Sequence, residues 1–229
     1  MSSLNVDGVV FDFDGTLINL GGHVEWRKAQ EEVVQGYIDQ DCDEDTVQAC
    51  NAKGMFTMLD EMYSNLQDER GEEEARIVQA SIYNLIRDYE VKGVDACVVM
   101  DGCPSTLDWI SKRGVPMGVL TSNSANSAEE ALKFQGLRHH FKAVLGRSVD
   151  FPMKPHPAQL EECFRLIGAD PSRGVMVGDS HKDIIAGKTA GAYTVGIPVY
   201  FTRLELMKEA GVDVIIDSLS ELPAVLESL

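Results

Sequence analysis

The sequence predicts an α/β fold: a doubly wound parallel sheet of Rossmann-like form, with a small all-helical cap domain inserted after the first strand. Three observations carry this expectation. Six apolar runs of four to seven residues are continuous rather than alternating, the pattern of strands covered on both faces. Helix-like stretches separate and follow them, and repeated βα units favour parallel pairing with right-handed crossovers. The rhythm breaks between residues 20 and 92, where three helix-like segments occur and no strand is found.

Taken in order, residues 8–13 (Gly-Val-Val-Phe-Asp-Phe) form the first expected strand. The inserted helices are expected over 24–39, 45–66 and 72–89, broken at 41–45 and 67–71 and entered through Gly21-Gly22. Later strands are expected at 115–121, 143–146, 174–178, 193–197 and 212–216. Helices are expected at 103–113, 127–135, 157–167, 182–190, 203–210 and 221–229. This gives an α/β core domain of residues 1–19 and 93–229 and a helical cap domain of residues 20–92.

Bulk composition bounds the function. A formal charge of −17 argues against binding a nucleic-acid backbone, which calls for clustered Lys and Arg. The cap segment holds 17 acidic and seven basic side chains, so −10 of the −17 lies there, most simply as a solvated face. A phosphate site in such a chain must be made locally positive by a metal, a Lys or backbone N–H groups. The first residues lack the basic and apolar runs of a signal peptide, and no apolar stretch approaches the ~20 residues that span a bilayer. Five cysteines without a CxxC pair fit reduced thiols rather than a zinc site. The expectation is a cytoplasmic protein, monomer or homodimer, with no nucleic-acid or membrane partner.

The segment richest in chemistry is Val9-Val-Phe-Asp-Phe-Asp-Gly-Thr-Leu17. Two carboxylates, Asp12 and Asp14, end an apolar strand, where propensity disfavours them but where open α/β sheets bind ligands. Alternation turns both to one side, with Phe11 and Phe13 on the other. A carboxylate pair at this reach suits a hard cation such as Mg²⁺. Taken alone, the pair reads equally well as turn-forming aspartates.

In register with three further motifs, the sequence resembles the haloacid dehalogenase-like hydrolase superfamily along its whole length. The first motif, DxDxT, is matched by Asp12, Asp14 and Thr16. The second, a hydroxyl ending an apolar strand, is matched by Thr121 or Ser122 in Val119-Leu-Thr-Ser-Asn123. The third is Lys154 before Pro-His-Pro, and the fourth, GDxxxD, is Gly178, Asp179 and Asp183. The GDSxxDIxAGxxAG string at 178–191 is similar to the phosphoglycolate phosphatase-like subgroup, although Asn19 stands where relatives commonly carry Asp.

The resemblance implies a Mg²⁺-dependent phosphatase acting on a small phosphorylated metabolite. Asp12 would be the nucleophile and form an aspartyl-phosphate. Asp14 would be the general acid and then base, kept protonated by a closed, desolvated cap. Mg²⁺ would be held by Asp12, the backbone carbonyl of Asp14 and Asp179, with Asp183 as ligand or support. Thr121, Ser122, Asn123 and Lys154 would bind phosphate. Asp14 disfavours dehalogenases, whose halide leaves without a proton, and phosphonate-cleaving relatives, which lack this acid. Sugar-phosphate mutases keep both aspartates and remain the alternative; a non-catalytic scaffold is disfavoured by the complete motif set. Specificity would lie in the cap, with Lys53 and Gly54 in a loop reaching the site or, equally, on a solvated helix. His156 and His181 are expected as turn or surface residues, since Mg²⁺ has little use for imidazole. Trp26, Trp109, Met55, Met58 and Met62 are expected to pack between helices.

Overall fold

The computed structural model describes residues 4–199 and 201–229, leaving the side chains of 201 and 202 undescribed. The chain begins with β1 (Gly8–Phe11), a two-residue β2 (Ile18–Asn19), and then α1 (Trp26–Asp39), α2 (Glu44–Asn51), α3 (Met55–Arg70) and α4 (Glu72–Lys92). Next come β3 (Val98–Val99), α5 (Cys103–Ser111), β4 (Met117–Leu120), α6 (Ala125–Phe134), β5 (Phe141–Leu145) and α7 (Ala158–Ile167). The last third supplies β6 (Gly174–Gly178), α8 (His181–Ala190), β7 (Tyr193–Gly196), α9 (Phe201–Glu209), β8 (Val214–Ile215) and α10 (Leu222–Ser228).

Six strands form one sheet in the order β5-β4-β1-β6-β7-β8, every neighbouring pair parallel. Alternation along β1 explains why its residues are all apolar. Val9 and Phe11 join one buried cluster with Leu107, Ala128 and Leu222, while Val10 joins a second with Leu160, Phe164 and Ala186. Each face of the sheet is therefore covered by helices, and no position on the strand is free to be polar. From β1 the chain builds outward through β4 and β5, then crosses back to β6 on the other side. β1 sits at that reversal, where an open α/β sheet presents its carboxyl ends to ligand.

The inserted helices have a core of their own. Val33, Val47, Met58, Leu59, Leu66 and Ile82 are among its buried members, and Met153 from the later chain joins them. Gln79, fully buried, accepts from the Tyr37 hydroxyl at 2.7 Å and donates to the Leu59 carbonyl at 3.0 Å. A satisfied polar pair inside an apolar core fixes the register of the helices that carry it. At its far end α4 leaves this core: Tyr89 packs instead with the cluster under the sheet, as does Ala29 of α1.

Two expectations are corrected here. The segment 45–66 is two helices, not one: Gly54 takes φ 93°, a conformation that ends α2 and caps α3. The apolar stripe Val47, Cys50, Met55, Met58 continues across the break, which hides it from a reading by period. The insert is also joined through a strand pair that the sequence did not announce, β2 with β3 antiparallel, Ile18 opposite Val99. Strands of two residues are too short to carry a period. All five cysteines are buried and free. No described helix is long and apolar enough to cross a membrane.

Candidate active site

Four carboxyl-terminal connections converge on one cavity of about 440 Å³. Asp12 and Asp14 come from the end of β1, Thr121, Ser122 and Asn123 from the end of β4, Lys154 from the connection after β5, and Asp179 and Asp183 from the end of β6 and the start of α8. The structure thus brings together every expected site residue except Lys53 and Gly54. Lys53 pairs with Glu61 at 2.8 Å on the exposed face, and Gly54 ends the α2–α3 break without lining the cavity. Phe56, two residues further on, does line it, together with Trp26. Trp26, expected only to pack, also donates its indole N–H to the Gly21 carbonyl at 2.8 Å. A larger cavity of about 730 Å³, between α3, α4 and residues 148–157, contains none of the motif residues.

At the cavity floor, Lys154 Nζ donates to Asp12 Oδ1 at 2.6 Å, to Asp183 Oδ1 at 2.5 Å and to the Leu120 carbonyl at 3.2 Å. Its three donors are all engaged, so it balances charge and holds two carboxylates in place. Asp183 also accepts from the Ser180 N–H and hydroxyl at 3.0 and 2.9 Å, capping α8 with its other oxygen. The remaining oxygen of Asp12 accepts a longer bond, 3.2 Å, from the Thr16 hydroxyl. Gly15 sits beside this group at φ 84°, and a Cβ there would lie 2.5 Å from Asp179 Oδ2. Only glycine both makes this turn and leaves the carboxylate room.

Burial is the largest influence on Asp12 and pushes it up to about 6, opposed by Lys154 and reinforced by Asp183. Burial alone would lower Lys154, but the two carboxylates outweigh it and hold the ammonium above its ordinary range. A contact of 2.6 Å favours the ionised pair, with Lys154 firmly protonated. Asp14 points elsewhere. Its Oδ1 accepts the N–H groups of Leu20 and Gly21 at 2.9 and 2.8 Å, where the chain enters the insert. Burial raises its carboxyl above the ordinary value, although those two N–H bonds pull it down.

Carboxylate oxygens of Asp12, Asp179 and Asp183, all buried, lie within 4.8 Å of one another. Against them stand Lys154 and Arg203, whose guanidinium meets Asp179. Three carboxylates facing two cations leave a negative excess, and a phosphate dianion would add to it. Oxygen donors with such an excess fit a hard divalent cation. The Asp14 side chain is outside this carboxylate cluster.

The loop after β4 is arranged differently. The Thr121 hydroxyl is used within its own loop, donating to Asn123 Oδ1 at 3.2 Å and accepting from the Asn123 N–H at 3.0 Å. This orients Asn123, whose Nδ2 is buried at the cavity without an acceptor among the described residues. A buried donor without a partner is costly, and an incoming anionic oxygen would satisfy it. His156 Nδ1 accepts from the Ala158 N–H at the start of α7, whereas His181, expected as a turn or surface residue, lines the cavity wall. The sequence reading missed Trp26, Phe56, Ser180, His181, Lys182, Arg203 and Leu206 as lining residues. Lys182 had a signal, since it lies inside the fourth motif; Arg203 and Phe56 had none.

With this geometry in hand, a family model described as haloacid dehalogenase-like hydrolase matches residues 9–197. Pyrophosphatase PpaX of Anoxybacillus flavithermus is 26% identical, over 97% of this chain and 98% of its own length. Pyrophosphatase PpaX of Bacillus mycoides is 25% identical, over 99% of each. Among solved structures, CbbY from Rhodobacter sphaeroides in complex with phosphate superposes with a TM-score of 0.66 at 20% identity, over 98% of this chain and 100% of that one. A predicted phosphatase from Clostridium acetobutylicum gives 0.66 at 22% identity, covering all of both chains. The structural likenesses establish the fold, sheet and helical insert alike.

Proposed function

The chain belongs to the haloacid dehalogenase-like hydrolase family, and we propose that within it this protein is a Mg²⁺-dependent phosphatase acting on a small phosphorylated metabolite through an aspartyl-phosphate on Asp12. The observation that carries this reading is the buried cluster of Asp12, Lys154, Asp179 and Asp183 at the carboxyl edge of the sheet. Residues 20–92 act as the cap over that edge, with residues 1–19 and 93–229 as the core domain.

In the first half-reaction an Asp12 carboxylate oxygen attacks phosphorus and the bond to the leaving oxygen breaks. Asp14, raised by burial, gives that oxygen its proton. In the second, water attacks the same phosphorus, Asp14 takes a proton from it, and Asp12 is released as carboxylate with inorganic phosphate. Lys154 keeps Asp12 ionised and aimed. Asn123 Nδ2 and the Ser122 side chain receive phosphate oxygens. Asp12, Asp179 and the Asp14 carbonyl would hold Mg²⁺, with Asp183 behind them. The ion would supply positive charge between two anions that otherwise repel. Trp26 and Phe56 would meet the leaving group; Lys53 and Gly54 act only by placing α3.

The test is a screen of the purified protein with Mg²⁺ against phosphorylated metabolites, reading released phosphate and isomerised product together. Inorganic pyrophosphate belongs in the panel, because the relatives named above are pyrophosphatases. Phosphate release is expected. Isomerisation without release would replace this reading by the mutase, and silence on the whole panel would discard it.

A further inference from the structure

The loop that carries Thr121, Ser122 and Asn123 is anchored from behind by a charge pair outside all four motifs. Glu90, in the last turns of α4, and Arg147, just past the end of β5, form an ion pair at 3.0 Å with both side chains fully buried. The same Arg147 Nη1 donates to the Ser122 carbonyl at 2.7 Å, and the Arg147 backbone N–H donates to the Asn123 carbonyl at 2.7 Å. The second Glu90 oxygen accepts from the Ser124 N–H at 2.8 Å and from the Ser127 hydroxyl at 3.1 Å. Backbone groups of three consecutive residues, 122 to 124, are therefore fixed by two side chains and one amide on the side away from the cavity.

We propose that Glu90 and Arg147 are positioning residues that set the phosphate affinity of this loop and couple it to the seating of the helical insert. As a device for stability alone the pair is a poor choice. Burying two charges costs much of what their attraction returns, and an apolar pair would pack at least as well. Arg147 is moreover incompletely satisfied, with Nε and Nη2 buried and without a partner among the described residues, while its guanidinium rests over the Tyr83 ring of α4 at 5.1 Å. What an apolar pair could not do is bond Ser122 and Ser124 in one geometry. Because Glu90 and Tyr83 belong to the insert and the loop belongs to the sheet, anything that shifts α4 shifts the loop. By linkage, a ligand that orders the loop must also steady the end of α4.

This inference rests on the phosphatase reading, and the experiment separates the two. Wild-type protein is assayed with p-nitrophenyl phosphate and Mg²⁺, with inorganic phosphate as competitive inhibitor. No hydrolysis and no inhibition would remove the phosphatase reading and this inference with it. Given activity, Glu90→Gln and Arg147→Lys are each expected to raise the inhibition constant for inorganic phosphate about tenfold, the scale of one charged hydrogen bond. The Mg²⁺ concentration for half-maximal rate should move by less than about twofold, since neither residue belongs to the carboxylate cluster. A purely structural tether would lower the melting temperature and leave the inhibition constant in place, which overturns the proposal. Hydrogen exchange on the wild type needs no variant. Inorganic phosphate with Mg²⁺ should slow exchange at residues 84–92, and unchanged exchange there would break the coupling even if both variants fail to fold.

Discussion

The cavity has a floor and a roof of different character. The floor comes from the carboxyl ends of β1, β4, β5 and β6, where Lys154 bonds Asp12 and Asp183 at 2.6 and 2.5 Å and little is exposed. The roof comes from the helical insert, and its two contributions to the cavity, Trp26 and Phe56, are aromatic side chains in edge-to-face contact at 6.1 Å. On the proposed function, a floor built from charge would recognise what every phosphate ester has in common. A roof built from aromatic surface can distinguish only what differs between esters. On that function, reaction and selectivity would be carried by separate parts of this chain, joined where Asp14 bonds the chain entering the insert and where Glu90 reaches back under the loop after β4.

The largest effect should come from the floor. Asp12→Asn is expected to lower kcat at least about 10³-fold, as loss of a nucleophile does, with the circular dichroism spectrum retained. Activity within tenfold of wild type would dissolve the distinction, because the floor would not then hold the reacting group. Chelation comes next. EDTA should stop turnover and Mg²⁺ restore it, and Mg²⁺ should raise the melting temperature by binding the folded state, about 2.7 kcal/mol at a hundredfold excess over its Kd. Full activity in EDTA would leave the carboxylate cluster without its role.

Asp14 tests the seam between the regions. Asp14→Ala should cost about 10²–10⁴-fold on an alkyl phosphate and much less on p-nitrophenyl phosphate, whose leaving group departs without a proton. An equal loss on both would assign Asp14 to positioning rather than proton transfer. The smallest effect belongs to the roof. Phe56→Ala should change kcat/KM by roughly 10–200-fold, the scale of reshaping an apolar pocket, and by different factors for different substrates. A uniform loss across the panel would mean that the roof takes part in the reaction itself.

Most of the floor was legible in the sequence because its parts are local. Asp12, Asp14 and Thr16 lie within five residues, as do Asp179 and Asp183, and each group follows an apolar run that ends at the sheet edge. Lys154 was legible only through the family resemblance, since nothing in its own neighbourhood announces a buried ammonium. The roof was read less well. Three helices were expected where four occur, and Lys53 was offered where Phe56 reaches the cavity, because an exposed and an inward residue three positions apart look alike without the helix start at Gly54. The Glu90–Arg147 pair was missed for a different reason: its members are 57 residues apart and share no motif. The one available signal was a charged residue directly after an apolar strand at the ligand-binding edge.

By itself the sequence determined the α/β sheet, its helical insert, and the carboxylates that end its strands. Continuous apolar runs can be satisfied only by burial on both faces, and aspartates at their ends can face only the open edge. Tertiary structure alone decided which cation balances which carboxylate, that Asp14 turns toward the insert, and that a glutamate from the insert grips the loop after β4. Those outcomes depend on distances between residues far apart in the chain, and burial makes the distances decisive: charges removed from water must find partners wherever the fold has placed them.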